Sequence, residues 1–186
     1  MSPMKAFLDF EASSLSDQSY PIEVAWVFED GRAEAHMIAP GPGWTDWSEA
    51  SEAIHGISRP ALSAEGRPFA FVASRMVEAL SGHDLFASAP SWDGKWLSFL
   101  LRQAGFARHT LRLRGTDDAV RWTVAEILDP VLPSKAVSME VERILKEVKT
   151  AKSGNPAHRA LADAVGEHHM WLHATQAARA IVQGAA

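Results

Sequence analysis

The period of apolar and polar positions changes several times along the chain, and each change marks an element. Residues 4–10 (MKAFLDF) form a mostly apolar run broken by Asp9, the pattern of a central strand. Ile22, Val24, Trp26 and Phe28 alternate with Glu23, Ala25, Val27 and Glu29, which predicts a second strand. Asp30-Gly31 is the strongest short hairpin signal in the chain, so residues 32–39 should pair antiparallel with that strand. Pro40-Gly41-Pro42-Gly43 ends it and opens a loop. Residues 69–80 have helical character and stop near Ser81-Gly82, and residues 84–89 read as a short strand. Trp92, Trp96, Leu97, Leu100, Leu101 and Ala104 form a helical stripe closed by Gly105, and residues 110–114 read as a last strand. From Asp117 onward the pattern is helical. Val137, Val141, Ile144, Leu145 and Val148 make an amphipathic stripe that Gly154-Asn155-Pro156 ends, with Asn155 and Pro156 as N-cap and first residue of a further helix. Three strands with a hairpin, then alternating helix and strand, then helices, predict an α/β fold with a mixed sheet and a helical C-terminal part.

Composition narrows the function classes. A length of 186 residues suits a single domain over 1–186. With 47% hydrophobic and 22% charged residues the chain reads as an ordinary soluble globular protein. It has no cysteine, which excludes disulfides, thiolate metal sites and cysteine nucleophiles and makes a reducing cytoplasm the simplest setting. Residues 1–10 lack the apolar core and small-residue cleavage site of a signal peptide, and no stretch approaches the roughly 20 apolar residues of a membrane helix. The formal net charge of −5 argues against a protein that coats nucleic acid by bulk electrostatics. It leaves room for an enzyme acting on one strand end, because bound cations reverse the sign at an acidic cluster.

The candidate chemistry lies in the acids. Asp9 and Glu11 stand two apart on the first strand, so their side chains share a face. Two neighbouring carboxylates repel, and a divalent cation relieves the repulsion. Asp93 opens a helix after a short strand. His158 and Asp163 are five apart, roughly 140° on an ideal helix, so they share no stripe. His158 follows the Gly-Asn-Pro break, at a helix entrance where its ring can swing over a site that Asp163 helps to form. Each residue alone also admits a plainer role. Glu11 can be a solvated loop residue past the strand end, Asp93 an acid facing a helix dipole, and His158 and Asp163 surface groups.

The set carries more than its members. The segments are Phe7-Leu8-Asp9-Phe10-Glu11, then Ile54-His55-Gly56-Ile57, then Ser91-Trp92-Asp93 within the stretch to Leu100, then His158-Arg159-Ala160-Leu161-Ala162-Asp163. In this order and spacing they resemble the DEDDh family of 3′-to-5′ exonucleases, which includes polymerase proofreading subunits and oligoribonuclease-like enzymes. The likeness spans roughly residues 4–170. It implies a ribonuclease H-like fold with a five-stranded mixed sheet. It also implies two Mg²⁺ or Mn²⁺ ions on Asp9, Glu11, Asp93 and Asp163, with His158 as general base. Glu11-Ala12-Ser13-Ser14 and Ala89-Pro90-Ser91-Trp92 depart from common family patterns, and residues 109–152 follow none.

The resemblance implies a single-stranded DNA or RNA 3′ end as substrate, released as nucleoside 5′-monophosphates, and some relatives pair as homodimers. Terminal bases need a stacking surface, for which Phe10, Trp44, Trp47 and His55 are candidates. Arg108, Arg112 and Arg114 can follow the phosphate backbone or simply make a solvated basic face. His169 and His173 are spaced i, i+4, but the cluster His168, His169 and His173 lacks the glutamate of a zinc-peptidase motif and reads as surface histidines. Two other readings stand beside the exonuclease. One is a catalytically weak nucleic-acid-binding or regulatory protein on the same fold. The other is a phosphodiesterase acting on a small non-polynucleotide substrate.

Overall fold

The computed structural model describes residues 3–151 and 158–185. The strands are β1 (Lys5–Ala12), β2 (Pro21–Phe28), β3 (Ala33–Ala39), β4 (Arg67–Pro68), β5 (Asp84–Ala87) and β6 (Leu113–Gly115). They form one mixed sheet in the order β4-β3-β2-β1-β5-β6. The β1–β2 and β2–β3 pairs are antiparallel, while β1–β5, β5–β6 and β3–β4 are parallel. The hairpin forms where Asp30-Gly31 predicts it. Gly31 sits at φ 85 and its N–H donates to the Phe28 carbonyl at 2.8 Å, a left-handed conformation that glycine takes without strain.

Five of these strands answer to the five expected, and the two-residue β4 makes six. It lies in the stretch after Pro40 that reads as loop, and so do two seven-residue helices, α1 (Glu49–His55) and α2 (Arg59–Glu65). Two turns are too few to display a helical period, but both helices carry local start signals. The Ser48 hydroxyl accepts from the Ser51 N–H and the Ser58 hydroxyl from the Ala61 N–H, each satisfying an otherwise orphan donor.

Helices α3 (Phe69–Leu80) and α4 (Pro90–Gln103) cover one face of the sheet; α5 (Thr116–Leu128), α6 (Ser134–Ala151) and α7 (Ala160–Ala185) belong to the other. The Asn155 and Pro156 expected to open the last helix lie outside the described residues. Among the described residues no helix is long and apolar enough to cross a membrane.

Cover on both faces explains β2, which is buried at all eight positions despite its alternating sequence. Ile22, Val24, Trp26 and Phe28 join the core under α3 and α4. Ala25 and Val27 meet Ala160 and Ala164 of α7, with Ala25, Ala160 and Ala164 all at 0% exposure. Small side chains on both sides of this seam let the helix lie close on the strand. Overpacking such a seam costs about 1–3 kcal/mol. Ala164→Leu should therefore lower the thermal midpoint by several degrees, at roughly 2–4 °C per kcal/mol for a chain of this size. Thermal unfolding followed by circular dichroism reads this, and an unchanged midpoint would show the seam to be loose.

Candidate active site

The alternation of β1 separates Phe10 from its two acidic neighbours. Phe10 is 4% exposed in the core beneath α3 and α4, and Asp9 and Glu11 are half-buried. The register with β2 shifts immediately after Glu11, which pairs with Glu23 while Ala12 pairs with Pro21. Such a bulge turns the strand and re-aims the side chains beside it. Asp163 arrives in the first turn of α7, its backbone N–H donating to the Arg159 carbonyl at 3.0 Å. One carboxylate oxygen from each of Asp9, Glu11 and Asp163 lies within 4.8 Å of the others.

This crowding shifts the protonation of Glu11. Burial, then the charges of Asp163 and Glu23, push its carboxyl up to about 7, against a smaller pull downward from Arg159. Asp93 stands apart from the three-carboxylate group. It is 3% exposed at the start of α4, and its carboxylate accepts from the backbone N–H of Ala89 at 3.3 Å and from that of Phe10. It thus meets β1 at the residue between Asp9 and Glu11. Burial pushes Asp93 to about 7 in spite of those hydrogen bonds.

His158 lies immediately before α7 rather than on it, at φ 50. A non-glycine residue in this left-handed region carries strain of order 1–3 kcal/mol. His158 lines a cavity of about 260 Å³ together with Phe10, Glu11, Ile54, His55 and Trp96. His55 is 5% exposed, and its Nδ1 accepts from the Ile57 N–H at 3.0 Å, which leaves the proton on Nε2. That Nε2 has no hydrogen-bond partner, and burial holds the imidazole below its ordinary pKa and neutral.

The other sequence candidates lie elsewhere. Trp44 is 7% exposed and packs against Tyr20, Phe69 and Phe99; the Trp47 Nε1–H donates to Glu52 at 2.7 Å. Neither lines the cavity. Arg108, Arg112 and Arg114 are exposed, and Arg114 pairs with Asp84 at 2.7 Å. His169 and His173 are exposed, as expected of surface histidines, but His168 is not. It is buried at 8% against Phe7 and Trp171, because α7 turns that side of the helix onto the sheet.

Two residues escaped the sequence reading. Asp46 accepts from the hydroxyls of Ser13 (2.8 Å), Ser14 (2.6 Å) and Ser16 (2.7 Å) and so pins the loop that follows β1, where Ser14 and Leu15 line the cavity. Burial pushes the Asp46 carboxyl up, but the three hydroxyls outweigh it and hold the group below its ordinary pKa. The serine run after Glu11 was the available signal. Glu23 is the second, buried at 4% and bonded to Arg159 and to the Ala160 N–H.

Three converging carboxylate oxygens, with neither sulfur nor imidazole among them, make a hard donor set suited to Mg²⁺ or Mn²⁺. Beside burial, the charges of Asp163 and Glu23 raise the Glu11 carboxyl, and a cation would relieve that repulsion. The residues present therefore fit a divalent metal centre.

Comparison with known proteins agrees at the level of the fold. No family model and no curated protein matches the sequence. Among solved structures, the zinc-bound complex of E. coli exonuclease I with single-stranded DNA aligns with a TM-score of 0.65 and 18% identity, covering 91% of this chain and 40% of that one. The complex of E. coli exonuclease I with a dT13 oligonucleotide gives 0.67 and 18%, covering 98% and 43%. A product-bound exonuclease I gives 0.66 and 15%, covering 98% and 46%. The chain spans less than half the length of these proteins. At such identities the likeness shows the fold, a ribonuclease H-like α/β arrangement.

The two raised carboxyls set a pH dependence for the metal-free protein. Their folded-state values of about 7 exceed the ordinary 4.5 and 3.8, so the folded state binds protons more tightly than the unfolded one. Their contribution to stability is complete below those ordinary values and is lost as pH rises through about 7. With EDTA present, the thermal midpoint should fall between pH 5 and pH 8, and the fall should shrink in Asp93→Asn. Mn²⁺ should raise the midpoint more at pH 8 than at pH 5, since protons compete with the metal. A midpoint indifferent to both pH and Mn²⁺ would count against a carboxylate metal centre.

Proposed function

We propose that the chain is a metal-dependent 3′-to-5′ exonuclease that hydrolyses the terminal phosphodiester of single-stranded nucleic acid and releases nucleoside 5′-monophosphates. The observation that carries this reading is the convergence of Asp9, Glu11 and Asp163 within 4.8 Å beside a cavity that Glu11 and His158 both line. A phosphodiester needs charge neutralised at phosphorus, a water deprotonated in line, and a place for the terminal nucleoside. The carboxylates answer to the first need, His158 to the second and the cavity to the third.

Asp9, Glu11 and Asp163, with Asp93 at their edge, would hold two Mg²⁺ or Mn²⁺ ions, which when bound supply Lewis-acid stabilisation of the phosphate oxygens and of the leaving 3′ oxygen. His158 takes the proton from the attacking water at a ring nitrogen, a transfer to which an imidazole is suited. Phe10 and Trp96 give the cavity an aromatic wall, Leu15 and Ile54 an apolar one, as an unstacked base requires. His55 contributes a neutral N–H at the same wall, which we assign to an acceptor on the terminal nucleotide. Structural likeness to exonuclease I complexed with single-stranded DNA supports the substrate class.

The test uses 5′-labelled DNA and RNA oligonucleotides with Mg²⁺, Mn²⁺ or EDTA. Shortening from the 3′ end should require metal. Loss of the general base in His158→Ala should slow turnover by about 10²–10⁴-fold, and Asp163→Ala should abolish it. Hydrolysis of a small chromogenic diester by a folded, Mn²⁺-binding protein that leaves both oligonucleotides intact would replace this reading with a small-molecule phosphodiesterase.

A further inference from the structure

We infer that Glu23 is a positioning residue, a buried clamp on the strand beside β1 that holds His158 and Asp163 in place through Arg159 and Ala160. The inference rests on the exonuclease reading and adds a residue to its machinery. Glu23 sits opposite Glu11 in the β1–β2 register, so it faces the same side of the sheet as the proposed metal ligands. Its two oxygens are nonetheless committed elsewhere. Oε1 accepts from Nη2 of Arg159 at 2.7 Å, and Oε2 accepts from Nε of Arg159 at 3.1 Å and from the backbone N–H of Ala160 at 2.9 Å. A carboxylate that would add to the repulsion around Glu11 is thereby tied to a guanidinium and to the start of a helix.

The position of these bonds along the chain gives the clamp its consequence. Ala160 is the first residue of α7, and a first-turn N–H has no partner within its own helix. Glu23 supplies that partner from a strand 137 residues away in sequence, doing at long range what an N-cap side chain does locally. Arg159 separates His158 from Ala160, and its carbonyl accepts the Asp163 N–H at 3.0 Å. Glu23 therefore fixes two of the four residues that lie between the proposed base and the proposed metal ligand. The left-handed backbone of His158, unfavourable by itself, needs such an anchor to persist. Arg159 is half exposed, with 52% of its side chain in contact with solvent against 6% for Glu23. The guanidinium can thus be altered without opening the core.

The experiment compares Glu23→Gln, Glu23→Ala and Arg159→Ala with the wild-type chain by hydrogen exchange, Mn²⁺ affinity from electron paramagnetic resonance, and oligonucleotide turnover. Releasing the clamp should speed amide exchange across residues 160–163 by about tenfold or more while α3 and α4 keep their protection. Mn²⁺ should bind more weakly. Misplacing a base by about 1 Å costs on the order of 10²-fold, so kcat should fall by about that factor in Glu23→Ala, with KM within about threefold. Glu23→Gln keeps one acceptor and should lie between. Because the clamp acts as a unit, Arg159→Ala in the Glu23→Ala background should add little. Unchanged exchange at 160–163, or unchanged kcat in variants whose exchange has risen, overturns the inference. If Glu23→Ala does not fold, Arg159→Ala carries the same three readouts. A wild-type chain that cleaves no oligonucleotide defeats the exonuclease reading. The clamp is then judged by exchange and Mn²⁺ affinity alone, and no change in either variant defeats it as well.

Discussion

Asp9, Glu11 and Asp163 repel one another, and the architecture around them can be understood as the means of holding them together regardless. Two come from one strand and are forced into proximity by its period. The third comes from a helix more than 150 positions later, so something other than mutual attraction must bring it in. The alanine seam of Ala25, Ala160 and Ala164 does this by letting α7 lie close on β2. The bulge after Glu11 turns the chain away where the acids end. Burial, and after it the charges of Asp163 and Glu23, pushes the Glu11 carboxyl up to about 7, so these contacts hold the group where its charge is disfavoured.

A second consequence is the treatment of the nearby acids. Glu23 and Asp93 are each buried within reach of Glu11, and either could deepen the repulsion. The fold handles them differently. Glu23 is neutralised by Arg159 and spent on a helix terminus; Asp93 receives backbone hydrogen bonds but no cation, and its carboxyl is pushed up to about 7. A buried acid with hydrogen bonds and no counter-charge readily takes up a proton. A buried acid with an arginine is expected of a structural tie.

That difference marks what could be read from the sequence. Strands β1 to β3 and the hairpin were legible because period two and Asp30-Gly31 are local signals. So were residues 69–80, which became α3 with the same bounds. The convergence of Asp9, Glu11 and Asp163 was legible through the order of their motifs, not through any one of them. The helices α1 and α2 were hidden because seven residues cannot display a period, although Ser48 and Ser58 were there as caps. Glu23 read as a polar position on an alternating strand. Its meaning lies in Arg159, 136 positions away, and no local pattern encodes a partner at that distance. Trp44 stood in a Gly/Pro-rich loop and yet is core, because that loop folds back over Tyr20 and Phe99.

The charge balance follows from the same constraint. A net charge of −5 looks unfavourable for a protein meant to hold a polyanion. On the proposed exonuclease reading, negative charge would be concentrated where cations gather, and affinity for the strand confined to one end. Divalent ions at the carboxylates would supply local positive charge at the scissile phosphate, while the remaining surface gives the strand little to adhere to. Above about pH 7, with no cation bound, the crowded acids Glu11 and Asp93 would weaken the fold that presents them. If the carboxylates hold a cation, the site is thus least stable in the deprotonated state that would bind it best.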